Sequence, residues 1–184
     1  GRGVTAIRPR DGRLELSFAK EDEEPEIFDK VIVTTGGSPK RKGLEWLENL
    51  GHKIEDPVPS LFTFNMPKEP VTELMGIVVE KALVNIQGTK LKSGLIQEAP
   101  LLITHWGMSG PAILKLSAFG ARLLSEKNYE FKIQVNWANV QRHDVVMEDL
   151  QNIVESNPKK ILSNMRPYSL PDRLWRYLWE KSEL

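Results

Sequence analysis

The stretch Leu101-Leu102-Ile103-Thr104-His105-Trp106-Gly107-Met108-Ser109-Gly110-Pro111-Ala112-Ile113-Leu114 decides how this chain is read. Its apolar run stops at a polar, aromatic and glycine cluster, and helical spacing begins beyond it. A strand hands over to a helix N-terminus here. Such a junction leaves backbone N–H groups without intrahelical partners at the positive end of the helix dipole, where anions and polar ligands are often held. Ser109 is expected to be the N-cap, with Pro111 in the first turn, where its missing N–H costs nothing. Gly107-Met108-Ser109-Gly110-Pro111 differs from a Gly-x-Ser-x-Gly nucleophile elbow at its last position, so a nucleophilic serine is not expected. His105 is the best single candidate for proton transfer near neutral pH. Its alternative is a strand-end histidine bonded to a loop carbonyl or to water.

Working outward, the residues after Ser109 place Ile113, Leu116, Phe119, Gly120, Leu123 and Leu124 on one face of a helix. Tyr129 to Val135 alternates as a returning strand. Val146, Leu150, Ile153 and Val154 mark a helix stopped at Asn157-Pro158. Leu170-Pro171 introduces a last helix, with Trp175 and Trp179 as packing anchors. Upstream, Leu61 to Asn65 and Gly76 to Ile86 read as strands, Gln87-Gly88-Thr89 as a turn, and Gly94 as the opening of the run to Ile103. Short strands at turn-punctuated intervals favour a small barrel or curled sheet.

Nearer the N-terminus, Val4 to Ile7 and Leu14 to Phe18 are two strands around the turn Pro9-Arg10-Asp11-Gly12. The acidic run Glu21 to Glu26 reads as a solvated loop. Phe28 to Thr35 is continuously apolar and β-branched, as in a strand buried on both faces, and runs into Gly36-Gly37-Ser38-Pro39. Leu44 to Leu50 is a short helix stopped by Gly51, with His52 just past its end. Lys40-Arg41-Lys42 is a basic cluster open to a phosphate or simply to solvent. The fold class is therefore α+β: a small barrel-like or curled mixed sheet with a packed helix, followed by a helical subdomain. The expected divisions are 1–38, 39–137 and 138–184.

Composition narrows the function. The 184 residues carry 25 basic and 25 acidic side chains, a balance that disfavours a nucleic-acid or membrane-surface protein. With no cysteine there is no disulfide or thiolate site, which fits a cytoplasmic location. His52, His105 and His143 lie far apart without ligand spacing, so no metal is expected. No apolar run is long enough to span a membrane. The opening Gly1-Arg2-Gly3 and the end at Leu184, just past a helix, fit a piece of a longer protein. Lys159, Lys160, Arg166, Arg173 and Arg176 make the C-terminal third locally basic, which keeps a non-enzymatic partner- or nucleic-acid-binding module as the alternative class.

Two motifs in order carry a resemblance. Phe28-Asp29-Lys30-Val31-Ile32-Val33-Thr34-Thr35-Gly36-Gly37-Ser38-Pro39 is similar to the strand ending in Ala-Thr-Gly in FAD-dependent oxidoreductases with two dinucleotide-binding domains. Followed by Pro57-Val58-Pro59-Ser60-Leu61 and then by Thr104-His105-Trp106-Gly107-Met108-Ser109-Gly110-Pro111-Ala112, it closely resembles the BaiN-like bacterial flavoproteins, NAD(P)/FAD-dependent or aminoacetone-oxidase-family enzymes. The resemblance covers most of the chain. It implies the central portion of an FAD-dependent oxidoreductase. Residues 1–38 would be the last strands of an FAD-binding α/β segment, 39–137 a β-rich insert and 138–184 its helical extension.

By the same resemblance, Thr35, Gly36 and Gly37 would lie against FAD in the intact protein. Thr104, His105, Gly107, Ser109 and Gly110 would face a small-molecule substrate, and NAD(P)H is a possible second cofactor. The remainder of the FAD domain would be the chain's partner, and the chain by itself would be inactive; composition separately gives no membrane partner and disfavours nucleic acid. The sequence departs from the family at Thr34, where alanine is usual. It departs again at Lys40 to Trp46, a charged stretch where the family carries a longer glycine-rich run.

Overall fold

The computed structural model describes residues 2–20, 22–88 and 95–182. Gly1, Glu21, Thr89, Gly94 and Leu184, which enter the sequence reading above, lie outside the described residues. Internal contacts divide the chain into two compact units, Gly1–Val58 and Pro59–Leu184.

The first unit holds an antiparallel three-stranded sheet, β1 (Val4–Arg10), β2 (Arg13–Phe18) and β3 (Glu26–Phe28), in that order. Asp11 and Gly12 both have positive φ (49° and 76°) in a two-residue turn, the geometry that matches strand twist in a tight hairpin. The acidic run is not simply solvated. Arg2 pairs with Glu23 and Glu26 at 2.8 and 2.6 Å, and Glu26 begins β3. A short helix, α1 (Glu45–Glu48), ends as the sequence implies. His52 N–H donates to the Leu47 carbonyl and Gly51 N–H to that of Glu48, with Gly51 at φ 90°: a Schellman closure.

The expected strand over Phe28 to Thr35 does not form. Only Phe28 pairs, with Leu14, and Ile32 is 89% exposed. An apolar, β-branched run makes a strand only where neighbours satisfy its backbone and layers cover its faces. Among the described residues no strand pairs with 29–35.

The second unit is a curled half-barrel with helices. Its strands β4 (Phe64–Asn65), β5 (Val78–Ile86), β6 (Ile96–Thr104), β7 (Gly107–Ser109) and β8 (Ile133–Asn136) are ordered β4-β7-β6-β5-β8, and every pairing is antiparallel. The register of β5 against β6 slips between Val79 and Ala82. The buried positions follow that slip: Val79 precedes it, and Ala82, Val84 and Ile86 follow with the opposite parity. One extra residue in a strand reverses which face its side chains take and bends it, which curls the sheet. The curl brings the two edges together through side chains. Phe64 of β4 meets Phe131, just before β8, edge-on at 4.9 Å, and Phe62 meets Tyr129 at 5.7 Å.

Helix α2 (Pro111–Phe119) lies on this sheet, burying Ala112, Ile113 and Leu116 with Val84, Ile86, Leu101 and Ile103. The single helix expected after Ser109 is two helices. Gly120 closes α2 by donating to Leu116 and starts α3 (Ala121–Glu126), and Phe119 is left 68% exposed rather than on the apolar face. Two further helices, α4 (His143–Ser156) and α5 (Asp172–Lys181), are joined by two short 3-10 turns. Leu174 and Trp175 of α5 enter the barrel's core, and the Trp175 indole N–H donates to the Leu162 carbonyl at 2.9 Å. Tyr168, in the second turn at φ 56°, donates its hydroxyl to Asp149 of α4 at 2.9 Å. Among the described residues no helix is long and apolar enough to cross a membrane.

Two local bonds make direct tests. Ser117, fully buried on α2, accepts from the Phe62 N–H at 3.0 Å and donates to the Leu114 carbonyl at 2.9 Å. Ser117→Ala strands that N–H and is expected to cost about 1–2 kcal/mol in urea unfolding, whereas Lys115→Ala on the exposed face changes little. Burial first, then the bond to Asp149 and its charge, pushes the Tyr168 hydroxyl up to about 12 from 10.0. The folded state therefore holds this proton more tightly than the unfolded state. The contribution is complete below pH 10 and is lost as pH rises through about 12. The stability difference between wild type and Tyr168→Phe should shrink across that window. A difference independent of pH contradicts the assignment.

Candidate functional site

The Thr104–Gly110 motif is a tight hairpin, not a strand running straight into a helix. Thr104 pairs with Gly107 and Leu102 with Ser109, so His105 and Trp106 form the two-residue tip. The Thr104 hydroxyl donates to the Gly107 carbonyl at 3.1 Å across that turn. Both tip residues are exposed, Trp106 by 43%, and the His105 ring stands edge-on to Trp106 at 4.4 Å. The Trp106 carbonyl accepts from Met66 N–H at 2.8 Å, tying the tip to the residue after β4.

The glycines explain why the hairpin sits where it does. At Gly107 (φ 154°) a Cβ would stand 2.0 Å from the Phe64 carbonyl oxygen and 2.9 Å from the Met66 nitrogen. At Gly110 (φ 92°) it would meet the Pro100 carbonyl oxygen at 2.9 Å. A backbone that passes this close to two others admits only glycine. Ser109 is consequently not the helix cap. It ends β7 opposite Leu102, while Gly110 takes the N-cap position with no side-chain cap bond. The sharp turn at Gly110 places the helix start one residue later than the cap rule implies.

The second predicted group lies in the other unit. Thr35, Gly36 and Gly37 line a cleft of about 550 Å³ with Val33, Leu44 and Trp46. Gly36 has φ 79°, and a Cβ at Gly36 or Gly37 would find nothing within 4 Å. The backbone there is open to a ligand's approach, and Trp46 gives the cleft an apolar wall. Gly43 closes it from behind, since a Cβ there would stand 2.1 Å from the Ser38 hydroxyl, which donates to the Lys40 carbonyl at 2.8 Å. The phosphate reading of Lys40-Arg41-Lys42 loses its centre, because Arg41 pairs with Glu48 and with Asp56, the latter at 3.0 Å.

The structure brings Thr104, His105, Gly107, Ser109 and Gly110 into one hairpin and Thr35, Gly36 and Gly37 around one cleft. It gives His105 no carboxylate partner among the described residues. Among the described residues no group of three or more His, Asp or Glu side chains could hold a metal ion. In the basic C-terminal third, Arg166 pairs with Asp172 and Arg173 donates to the Glu73 carbonyl at 2.9 Å.

Sequence reasoning missed a larger cleft, of about 990 Å³, at the seam of the half-barrel. Phe62, Phe64, Tyr129 and Phe131 line it, with Met108 from the motif itself. The signal was present as two aromatic pairs at strand spacing, Phe62-x-Phe64 and Tyr129-x-Phe131.

The two kinds of glycine should respond differently to substitution. Gly36→Ala meets only its own backbone strain and should cost about 1 kcal/mol. Gly107→Ala adds a collision with backbone and should cost at least about 3 kcal/mol, or prevent folding of the barrel. Circular dichroism and urea unfolding of the two variants check the contrast, and equal costs contradict it.

No curated protein matches the chain. A family model described as the HI0933-like protein barrel and H2TH domain matches residues 58–184, well over half of the sequence. That description agrees with a curled antiparallel sheet followed by two helices joined through two short turns. The matched segment begins at the boundary between the two compact units, and the chain belongs to the HI0933-like protein family.

Proposed function

We propose that the chain is the central portion of an FAD-dependent oxidoreductase of the BaiN-like kind. On this reading the first unit carries one cofactor-facing strand end, and the barrel is an insert that covers the flavin and substrate site. The observation that carries the reading is the family match over 58–184, joined to the open Gly36–Gly37 backbone that precedes it. The apolar run Val31 to Val33 supports it, with Ile32 and Val33 exposed, because such a run is suited to burial in a larger parallel sheet.

Bound flavin would supply the hydride or electron transfer. The chain's own residues would do the rest. Thr35, Gly36 and Gly37 would present backbone and hydroxyl groups to the cofactor at a place without side-chain obstruction. Trp46 would shield that surface from water. His105, exposed at its hairpin tip, would be the group able to move a proton on the substrate side, with Trp106 holding its ring orientation. Thr104 would fix the turn that carries them. NAD(P)H as a reductant and a cytoplasmic location belong to the same proposal.

The test is flavin content. The intact protein should purify yellow and release one FAD per chain on denaturation. Its sequence before Gly1 should contain Gly-x-Gly-x-x-Gly after an apolar strand. The 184-residue chain by itself should bind added FAD too weakly to hold it through gel filtration. A colourless intact protein that stays colourless with added FAD contradicts the proposal, as does stoichiometric flavin on the chain alone.

A further inference from the structure

We propose that the aromatic cleft at the barrel seam binds a flat apolar molecule carrying one acidic group, and that Lys181 and Tyr177 form the anion end of that site. The inference rests on the second unit alone and holds whether or not the intact protein carries flavin.

Shape comes first. Among the described residues the five-stranded sheet does not close by strand pairing, because β4 and β8 are its two edges. It closes by rings. Phe62 on one edge meets Tyr129 on the other edge-on at 5.7 Å, and Phe64 meets Phe131 edge-on at 4.9 Å. Beside this seam lies the cleft of about 990 Å³. That volume is at the upper end of the roughly 300–1,000 Å³ typical of small-molecule sites, and an apolar lining with few polar groups is their usual character. Buried Val71 and Met108 line it, and Leu178 joins them from α5. Aromatic walls favour a planar guest, which stacks or sits edge-on against rings at little conformational cost.

Charge sets the second requirement. Two lysines, Lys132 and Lys181, line the cleft against one carboxylate, Glu69. Among the described residues neither lysine has an ion-pair partner, whereas Arg2, Arg41 and Arg166 are paired. The Lys181 ammonium donates to the Tyr177 hydroxyl at 3.4 Å, which leaves the phenolic O–H free to donate onward. An ammonium and a hydroxyl side by side at the edge of an apolar cleft suit one carboxylate or sulfonate, held by charge-assisted hydrogen bonds. A neutral planar molecule would gain the rings and forgo the anion end.

A matched pair of fluorescent probes tests both requirements on the full 184-residue chain. The anionic probe is 8-anilinonaphthalene-1-sulfonate and the neutral one is N-phenyl-1-naphthylamine. The folded chain should bind one anionic probe saturably and bind the neutral probe at least five-fold more weakly. Lys181→Ala with Tyr177→Phe should weaken the anionic probe about ten-fold and move the neutral probe less than two-fold. Thr63→Trp, an exposed cleft position where added bulk need not disturb the core, should block both probes while circular dichroism stays unchanged. Non-saturable binding, or binding indifferent to Thr63→Trp, overturns the site. Equal affinity for the two probes, or an anionic affinity unmoved by the Lys181 and Tyr177 changes, overturns the acidic ligand.

Discussion

The barrel depends on a place where a side chain is missing. At Gly107 the backbone of β7 runs against the Phe64 carbonyl so closely that a Cβ would sit 2.0 Å away. That approach joins β4 to the sheet and gives Met66 N–H its partner at the hairpin tip. It also sets the aromatic seam, because Phe64 of β4 is the residue that meets Phe131. Gly110 repeats the constraint one strand over, against Pro100, and turns the chain into α2. The hairpin tip, the cleft and the helix on the sheet all follow from two positions that no other residue can occupy without displacing backbone.

How far the sequence could be read follows the range of the forces involved. Local rules served well where structure is local. The hairpin at Asp11-Gly12, the stop at Gly51, the end of α4 at Asn157 and the start of α5 after Pro171 follow from turn and cap chemistry. The curled sheet was legible from short alternating runs, and Trp175 as an anchor from helical spacing. Three readings failed for non-local reasons. Residues 29–35 need neighbours on both sides to become a strand. Ser109 was outcompeted as a cap because Gly110 alone fits beside Pro100. Phe119 left the apolar face because the chain bends at Gly120, where a Cβ would press on the Leu116 carbonyl at 2.9 Å.

The candidate site was legible as residue types and not as geometry. The motif residues do share one hairpin, but Gly107 and Gly110 are accounted for by packing, and Thr104 by closing the turn. That leaves the side chains of His105 and Trp106 exposed at the tip in contact with each other, while the Trp106 backbone carbonyl holds the Met66 N–H. The cleft at the seam escaped notice because its walls come from segments more than sixty residues apart, and its rim from α5. No window of sequence contains it.

The proposed function turns on residues 35–37 lying against FAD in the intact protein. Hydrogen–deuterium exchange on the intact protein, stripped of FAD and then reconstituted, tests this most directly. The amides of residues 35–37 should exchange at least ten-fold more slowly with FAD bound, while those of α4 keep their rates. Unchanged exchange at residues 35–37 on reconstitution would contradict the account.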